Sequence, residues 1–143
     1  MGLDMYLSRN IRLTNLQGID LPEITTLDND WQDSHRIVAH QSVMYWRKVN
    51  AIHRWFVDNI QDGEDNCHPY SVSIHDLISL ADTCENALNN RDPELLPTQD
   101  GFFFGSTEID DDYWDELKNT HDKLRELISQ HTDDMDYTYQ ASW

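Results

Sequence analysis

Two histidines stand at matching distances from two Tyr-Trp pairs. His53 lies seven residues after Trp46, and His121 lies seven after Trp114. The correspondence continues through Val49 with Leu117, Phe56 with Leu124, and Ile60 with Ile128. On helices, this spacing sets Trp and His on the shoulder of an apolar stripe, one above the other. Brought together, His53 and His121 are a metal-ligand or proton-transfer pair. A third ligand such as His40, His75 or an Asp is then required, and no HExxH or similar spacing supplies it. Two amphipathic helices on one core converge on the same pattern without chemistry, so both histidines are read as structural. The alternative is a small metal- or ligand-binding protein, or an enzyme, that uses His53, His121 and nearby carboxylates. The expectation is no tightly bound metal and no cofactor.

Other chemistry has less to stand on. Ser106 lies in GFFFGST, which lacks the GxSxG elbow of an activated serine. There is no P-loop and no GxGxxG. Cys67 and His68 are adjacent in a polar stretch, where a thiol and its base rarely face each other. The DGEDN run, Asp62 to Asn66, has oxygens like part of a calcium loop but not its spaced acids or closing Glu. It reads as an acidic turn. No catalytic residue is assigned.

Charge is the stronger signal. The chain carries 27 acids against 10 bases, a formal net charge of -17. Phosphate binding needs a basic face, so direct nucleic-acid binding is not expected. An acidic surface favours solubility and attracts basic partners. The carboxylates cluster at residues 28–33, 58–65, 108–116 and 133–136, interrupted by Arg47, Lys48 and Arg54. Candidate partner contacts are Asp110, Asp111, Asp112 and Asp115, with Asp62, Glu64 and Asp65 as a second patch. Phe103 and Trp55 are the aromatic candidates. The plain alternative is that these acids cap a helix and keep the chain soluble.

The elements that must position these residues are legible in outline. At 143 residues, one domain over 1–143 with a single core is expected. The stretch from Ser42 to Gly63 reads as its central helix. There Tyr45, Val49, Ile52, Phe56 and Ile60 form one stripe, Ser42 is the N-cap and Gly63 the stop. That stripe is expected to bury against Leu117, Leu124 and Ile128. Leu3, Met5 and Leu7 alternate with polar neighbours, the period of a half-buried strand. Residues 10–33 are polar, with Gly18 and Pro22, and read as a long loop or insertion holding a short ordered piece at Ile24 to Leu27. Arg36 to His40 and Tyr70 to Ser73 read as short strands. Ser73 and Asp76 form a capping box for a second helix running to Asn90. Cys84 sits on its apolar face as a small core residue. Gly101 to Gly105 reads as a buried strand or a covering loop, with Phe102 and Phe104 on one face. A third helix runs from Asp110 to about His131. Met135, Tyr137 and Tyr139 alternate in a final strand that pairs with the first. The fold class is α+β: three amphipathic helices on a small antiparallel or mixed sheet formed by the chain ends.

No run of 18 apolar residues spans a membrane, and MGLDMYLSRN lacks the basic and apolar regions of a signal peptide. Two cysteines without CxxC spacing suit a reducing compartment, so the cytoplasm is expected.

Three segments carry a resemblance: MGLDMYL at Met1 to Leu7, YWRKVNAIHRWFVDNIQDGEDNC at Tyr45 to Cys67, and LLPTQDGFFFGSTEID at Leu95 to Asp110, with YQASW at the end. Together they resemble a family of small, largely uncharacterised acidic proteins encoded by tailed phages and prophages. The quoted segments cover about a third of the chain, and the resemblance carries no catalytic or binding residue across. It implies action in a host cytoplasm. The expected function is a non-enzymatic accessory protein, an acidic inhibitor that binds a basic surface of a host protein. A defence nuclease or nucleic-acid-binding complex is the partner such a DNA-like charge suits.

Overall fold

The computed structural model describes residues 2–13 and 37–143. Strand β1 covers Asp4–Leu13 and β2 covers Ile37–Arg47. Helix α1 spans Asn50–Asn59, β3 Tyr70–Val72, and α2 Ile74–Asn90. After a single 3-10 turn at Pro93–Leu95 come α3, Asp111–Ser129, and β4, Met135–Ser142. The four strands make one antiparallel sheet in the order β2-β1-β4-β3. The architecture is α+β, as the sequence implies.

The two chain ends pair as expected. β1 and β4 run antiparallel from Asp4 opposite Ser142 to Ile11 opposite Met135. Their alternation explains the pairing: Leu3, Met5, Leu7, Tyr137, Tyr139 and Ala141 all bury on the helix side. On the other face, Tyr6 and Tyr45 stay substantially exposed, with ring centroids 5.4 Å apart. The β1–β2 register shifts between Leu7 and Ser8, leaving Val43 as the extra residue of a bulge.

The central stretch departs from the single helix expected over Ser42 to Gly63. Ser42 and Tyr45 belong to β2, and the helix begins only at Asn50. Two periods are spliced here. Met44 and Trp46 bury at spacing two, and then Val49, Ile52 and Phe56 bury at helical spacing. Tyr45 falls on the helical count by coincidence and is 48% exposed. Lys48 makes the joint: its φ of 59° turns the chain, and its N–H donates to the Leu3 carbonyl at 2.7 Å. The N-cap is therefore Val49, with no side-chain cap. Gly63 does sit at positive φ, 79°, but in the turn after the helix, where its N–H reaches the Val57 carbonyl.

Two further boundaries move. Asn10 to Leu13, expected in a loop, extend β1; the rest of the expected insertion, including Ile24 to Leu27, lies outside the described residues. Of the strand expected at Arg36 to His40, Ile37 to His40 begin the longer β2, and Arg36 lies outside the described residues. Of the two readings of Gly101 to Gly105, the strand fails and the loop holds: the segment is a turn, closed by Phe104 N–H to the Gly101 carbonyl at 3.1 Å, with Phe104 buried.

α2 starts with the expected capping box, Ser73 with Asp76. It packs beside α3, where Arg125 bonds both Asp82 and Glu85. α3 is tied to β2 by Trp46 Nε1–H donating to Thr120 Oγ1 at 2.9 Å. α1 lies over β4, with the Phe56 ring stacked on Tyr139 at 3.8 Å and 7°. Leu117 and Leu124 join the same buried core, and Ile60 and Ile128 are partly buried at its margin.

Candidate interaction surface

The equivalence of two histidine-bearing helices ends with Trp46 in a strand. His53 and His121 have separate partners. His121, on α3, is near Asp122 and Arg125. His53 is fully buried on α1, with Nδ1 2.8 Å from the Tyr139 hydroxyl and Nε2 2.9 Å from Asp65 Oδ1. A carboxylate can only accept, so Nε2 carries the proton and the Tyr139 O–H donates to Nδ1. The imidazole is neutral in this arrangement. Burial lowers its pKa below the usual histidine value, against an upward pull from Asp65. Burial also raises the Tyr139 pKa well above its ordinary value, with Asp65 adding to it, so the phenol keeps its proton.

Hydroxyl, imidazole and carboxylate here follow the order of a nucleophilic relay. The Tyr139 hydroxyl, however, belongs to a fully buried side chain under Phe56, out of reach of a substrate. His40 bonds Asn10 on the open sheet face, and His75 is exposed at the start of α2. Among the described residues, no three His, Cys, Asp or Glu side chains converge as a cation cage.

The histidine network reaches a surface loop. Gln99 Nε2–H donates to Asp65 Oδ2 at 3.1 Å, leaving Gln99 Oε1 buried without a donor. The reverse amide orientation would set its oxygen against the carboxylate, so this one is preferred. Asn50, 3% exposed, holds the same loop from beneath. Its Oδ1 accepts from Gln99 N–H at 3.0 Å, and its Nδ2 donates to the carbonyls of Phe104 (3.0 Å) and Ser106 (2.8 Å). Arg54 bonds the Thr98 carbonyl, and Leu3 N–H bonds the Phe103 carbonyl. Gly105 has φ 89°, and a Cβ there would lie 2.9 Å from Lys48 Cβ.

Beyond this anchorage the chain faces water. Phe104 buries against His53, edge-on at 5.3 Å, Phe103 is half-buried, and Phe102 is 94% exposed. Every residue from 105 to 112 is exposed, and Asp115 and Glu116 continue the exposed run. Asp110 is the N-cap of α3, its side chain accepting from Tyr113 N–H, and Asp111 and Asp112 occupy the first turn. Among the described residues, none of Glu108, Asp110, Asp111, Asp112, Asp115 and Glu116 is in an ion pair. Four of them also line a cleft of about 180 Å³ with Arg47, Lys48 and Tyr113.

The expected contact residues thus divide. The α3 acids form one exposed patch, and Asp62 and Glu64 are exposed at the far end of α1. Asp65 is engaged by His53 and Gln99 instead of standing free in that second patch. Trp55 is 8% exposed and packs edge-on against Phe56, so it is a core residue and not a contact residue. Phe103 yields to Phe102 as the exposed aromatic. The signal for Phe102 was present in Asp100-Gly101, a turn dipeptide, whereas Asn50 and Gln99 have no sequence signature. Cys67 is exposed and Cys84 buried, both as free thiols. No helix of the described residues is long and apolar enough to cross a membrane. No family model, curated protein or solved structure matches the chain.

Proposed function

We propose that this is a non-enzymatic binding protein whose acidic surface occupies a basic surface on another protein. The observation that carries it is the run from Glu108 to Glu116: six exposed carboxylates with no ion-pair partner among the described residues, although Arg125, Lys118 and Arg12 are paired elsewhere. Capping accounts for Asp110, and the helix dipole for Asp111 and Asp112. Neither accounts for Glu108, Asp115 and Glu116. Leaving such charge unneutralised destabilises a compact state by self-repulsion, and a basic partner relieves it.

The resemblance to phage-encoded proteins gives the setting: a host protein in the cytoplasm, with a nuclease or nucleic-acid-binding defence complex as the partner suited to a DNA-like field. The protein then acts as an inhibitor by occupation. Immobilised wild-type protein and a D110N/D111N/D112N/D115N variant, incubated with host-cell lysate and eluted with rising salt, test this. The expected result is a basic protein held by the wild type, released by salt and not held by the variant. Equal retention by both, or retention indifferent to salt, overturns the reading.

A further inference from the structure

The loop from Thr98 to Thr107 is held with more care than a connection requires. Asn50 spends both of its Nδ2 donations and its Oδ1 on that loop's backbone from a buried position. Gln99 hooks it to Asp65 while forgoing a bond at its own Oε1. Gly101 is required beneath the Phe104 ring, since a Cβ would stand 2.7 Å from that ring's Cγ. All this fixes the position of one side chain, Phe102, that touches little of its own protein. Among the described residues its only aromatic neighbour is Phe103, edge-on at 4.7 Å. A phenyl ring left 94% in water gains nothing in the free protein.

We infer that Phe102 is a preorganised anchor that fills an apolar socket on a protein partner whose rim carries Lys or Arg side chains. An aromatic on a fixed backbone loses little conformational freedom on binding, which is what makes such residues dominate an interface. The partner's charge follows from continuity: the loop runs without a break into Glu108, Asp110, Asp111 and Asp112, all exposed. A socket that receives Phe102 has its rim against these acids, so complementarity requires a basic rim. The same acids oppose insertion into an anionic bilayer, and a net charge of -17 opposes pairing with a second copy. This inference rests on the acidic-surface reading for the partner's charge, but the anchor itself rests on the loop.

Three probes separate the possibilities: a Lys/Leu peptide, a Lys/Gly peptide of equal charge, and phosphatidylglycerol vesicles. Phe102→Ala should keep the fold, since the ring is exposed, and a thermal melt confirms it. Wild-type protein is expected to bind the Lys/Leu peptide at least about ten-fold tighter than the Lys/Gly peptide, with Phe102→Ala removing that difference and Phe102→Trp keeping it. Asn50→Asp, which loses both donations to the loop, is expected to weaken the Lys/Leu peptide and to speed hydrogen exchange over 101–106. If the peptides bind with no preference, or Phe102→Ala keeps the preference, the anchor is overturned while the acidic surface stands. If neither peptide binds, the acidic-surface reading falls with it. Vesicle binding or self-association abolished by Phe102→Ala overturns the stated partner in favour of a bilayer or a second copy.

Discussion

His53 Nε2 lies 2.9 Å from Asp65 Oδ1, a contact that joins a buried helix position to the acidic turn twelve residues later. Through Tyr139 on one side and Gln99 on the other, it also joins the central strand β4 to the surface loop. Core packing and loop position are therefore coupled through one neutral imidazole.

That coupling sets a pH dependence. The folded pKa of His53 is lowered, chiefly by burial, so the unfolded chain binds more protons than the folded one as pH falls below about 6.5. The stability His53 contributes is full above that pH and declines as pH drops toward its folded pKa. Urea denaturation at pH 8, 7, 6 and 5 is expected to show the decline starting below pH 7, with a flatter profile in His53→Gln. An identical slope in both proteins would assign the loss to other groups.

Phe56 and Tyr139 form the centre of the core. Removing the ring in Phe56→Ala is expected to cost roughly 3–5 kcal/mol, enough to threaten a marginal domain. Tyr139→Phe keeps the stack but leaves His53 Nδ1 without a donor, at about 1–3 kcal/mol. Chemical denaturation measures both, and a change below about 1 kcal/mol for Phe56→Ala would contradict the stacked geometry.

What was legible and what was not follows from range. Helices α2 and α3 announce themselves locally, through Ser73 with Asp76 and through the acids around Asp110, and both start where those residues stand. The pairing of the chain ends was legible because β1 and β4 each alternate cleanly. The join at Lys48 was not, because Tyr45 satisfies a helical count and only Leu3, across the sheet, settles the strand. Trp55, an aromatic contact candidate in the sequence, is buried beside Phe56, a placement that no local pattern marks. The anchorage of the loop depends on Asn50 and Gln99, forty-nine residues apart, which no local pattern links.

The two thiols should behave oppositely. Cys84 is buried, and its pKa is pushed up to about 12, mainly by that burial, so it carries almost no thiolate at neutral pH. Cys67 is exposed in a turn. A disulfide reagent at pH 8 is expected to titrate one thiol rapidly in native protein and the second only on unfolding. Two fast thiols would place Cys84 outside the core.

Gly105 tests the loop's fixed path. Its φ of 89° disfavours any L side chain, and a Cβ would crowd Lys48. Gly105→Ala is expected to destabilise by about 1–3 kcal/mol. It should also accelerate hydrogen exchange at Phe103 and Phe104 more than in α2. A variant as stable as wild type, with unchanged exchange, would mean the backbone there is not constrained.

The acids of α3 can be separated from their helix by choice of substitution. Asn caps a helix about as well as Asp, so D110N/D111N/D112N/D115N keeps the cap and loses only the dipole interaction, about 0.3–1 kcal/mol per first-turn charge. Relief of repulsion among neighbouring carboxylates offsets part of this. Net stability is thus expected to change by less than about 1 kcal/mol, whereas Asp110→Ala alone should cost about 0.5–2 kcal/mol by removing the bond to Tyr113 N–H. Binding kinetics then divide the roles. Exposed charge acts on encounter, so the neutralised variant should slow association with the basic partner and lose salt dependence, leaving dissociation nearly unchanged. Phe102→Ala, by contrast, should speed dissociation. If the neutralised variant unfolds under conditions where wild type is stable, or binds with unchanged association rate, these carboxylates serve the helix and not a partner.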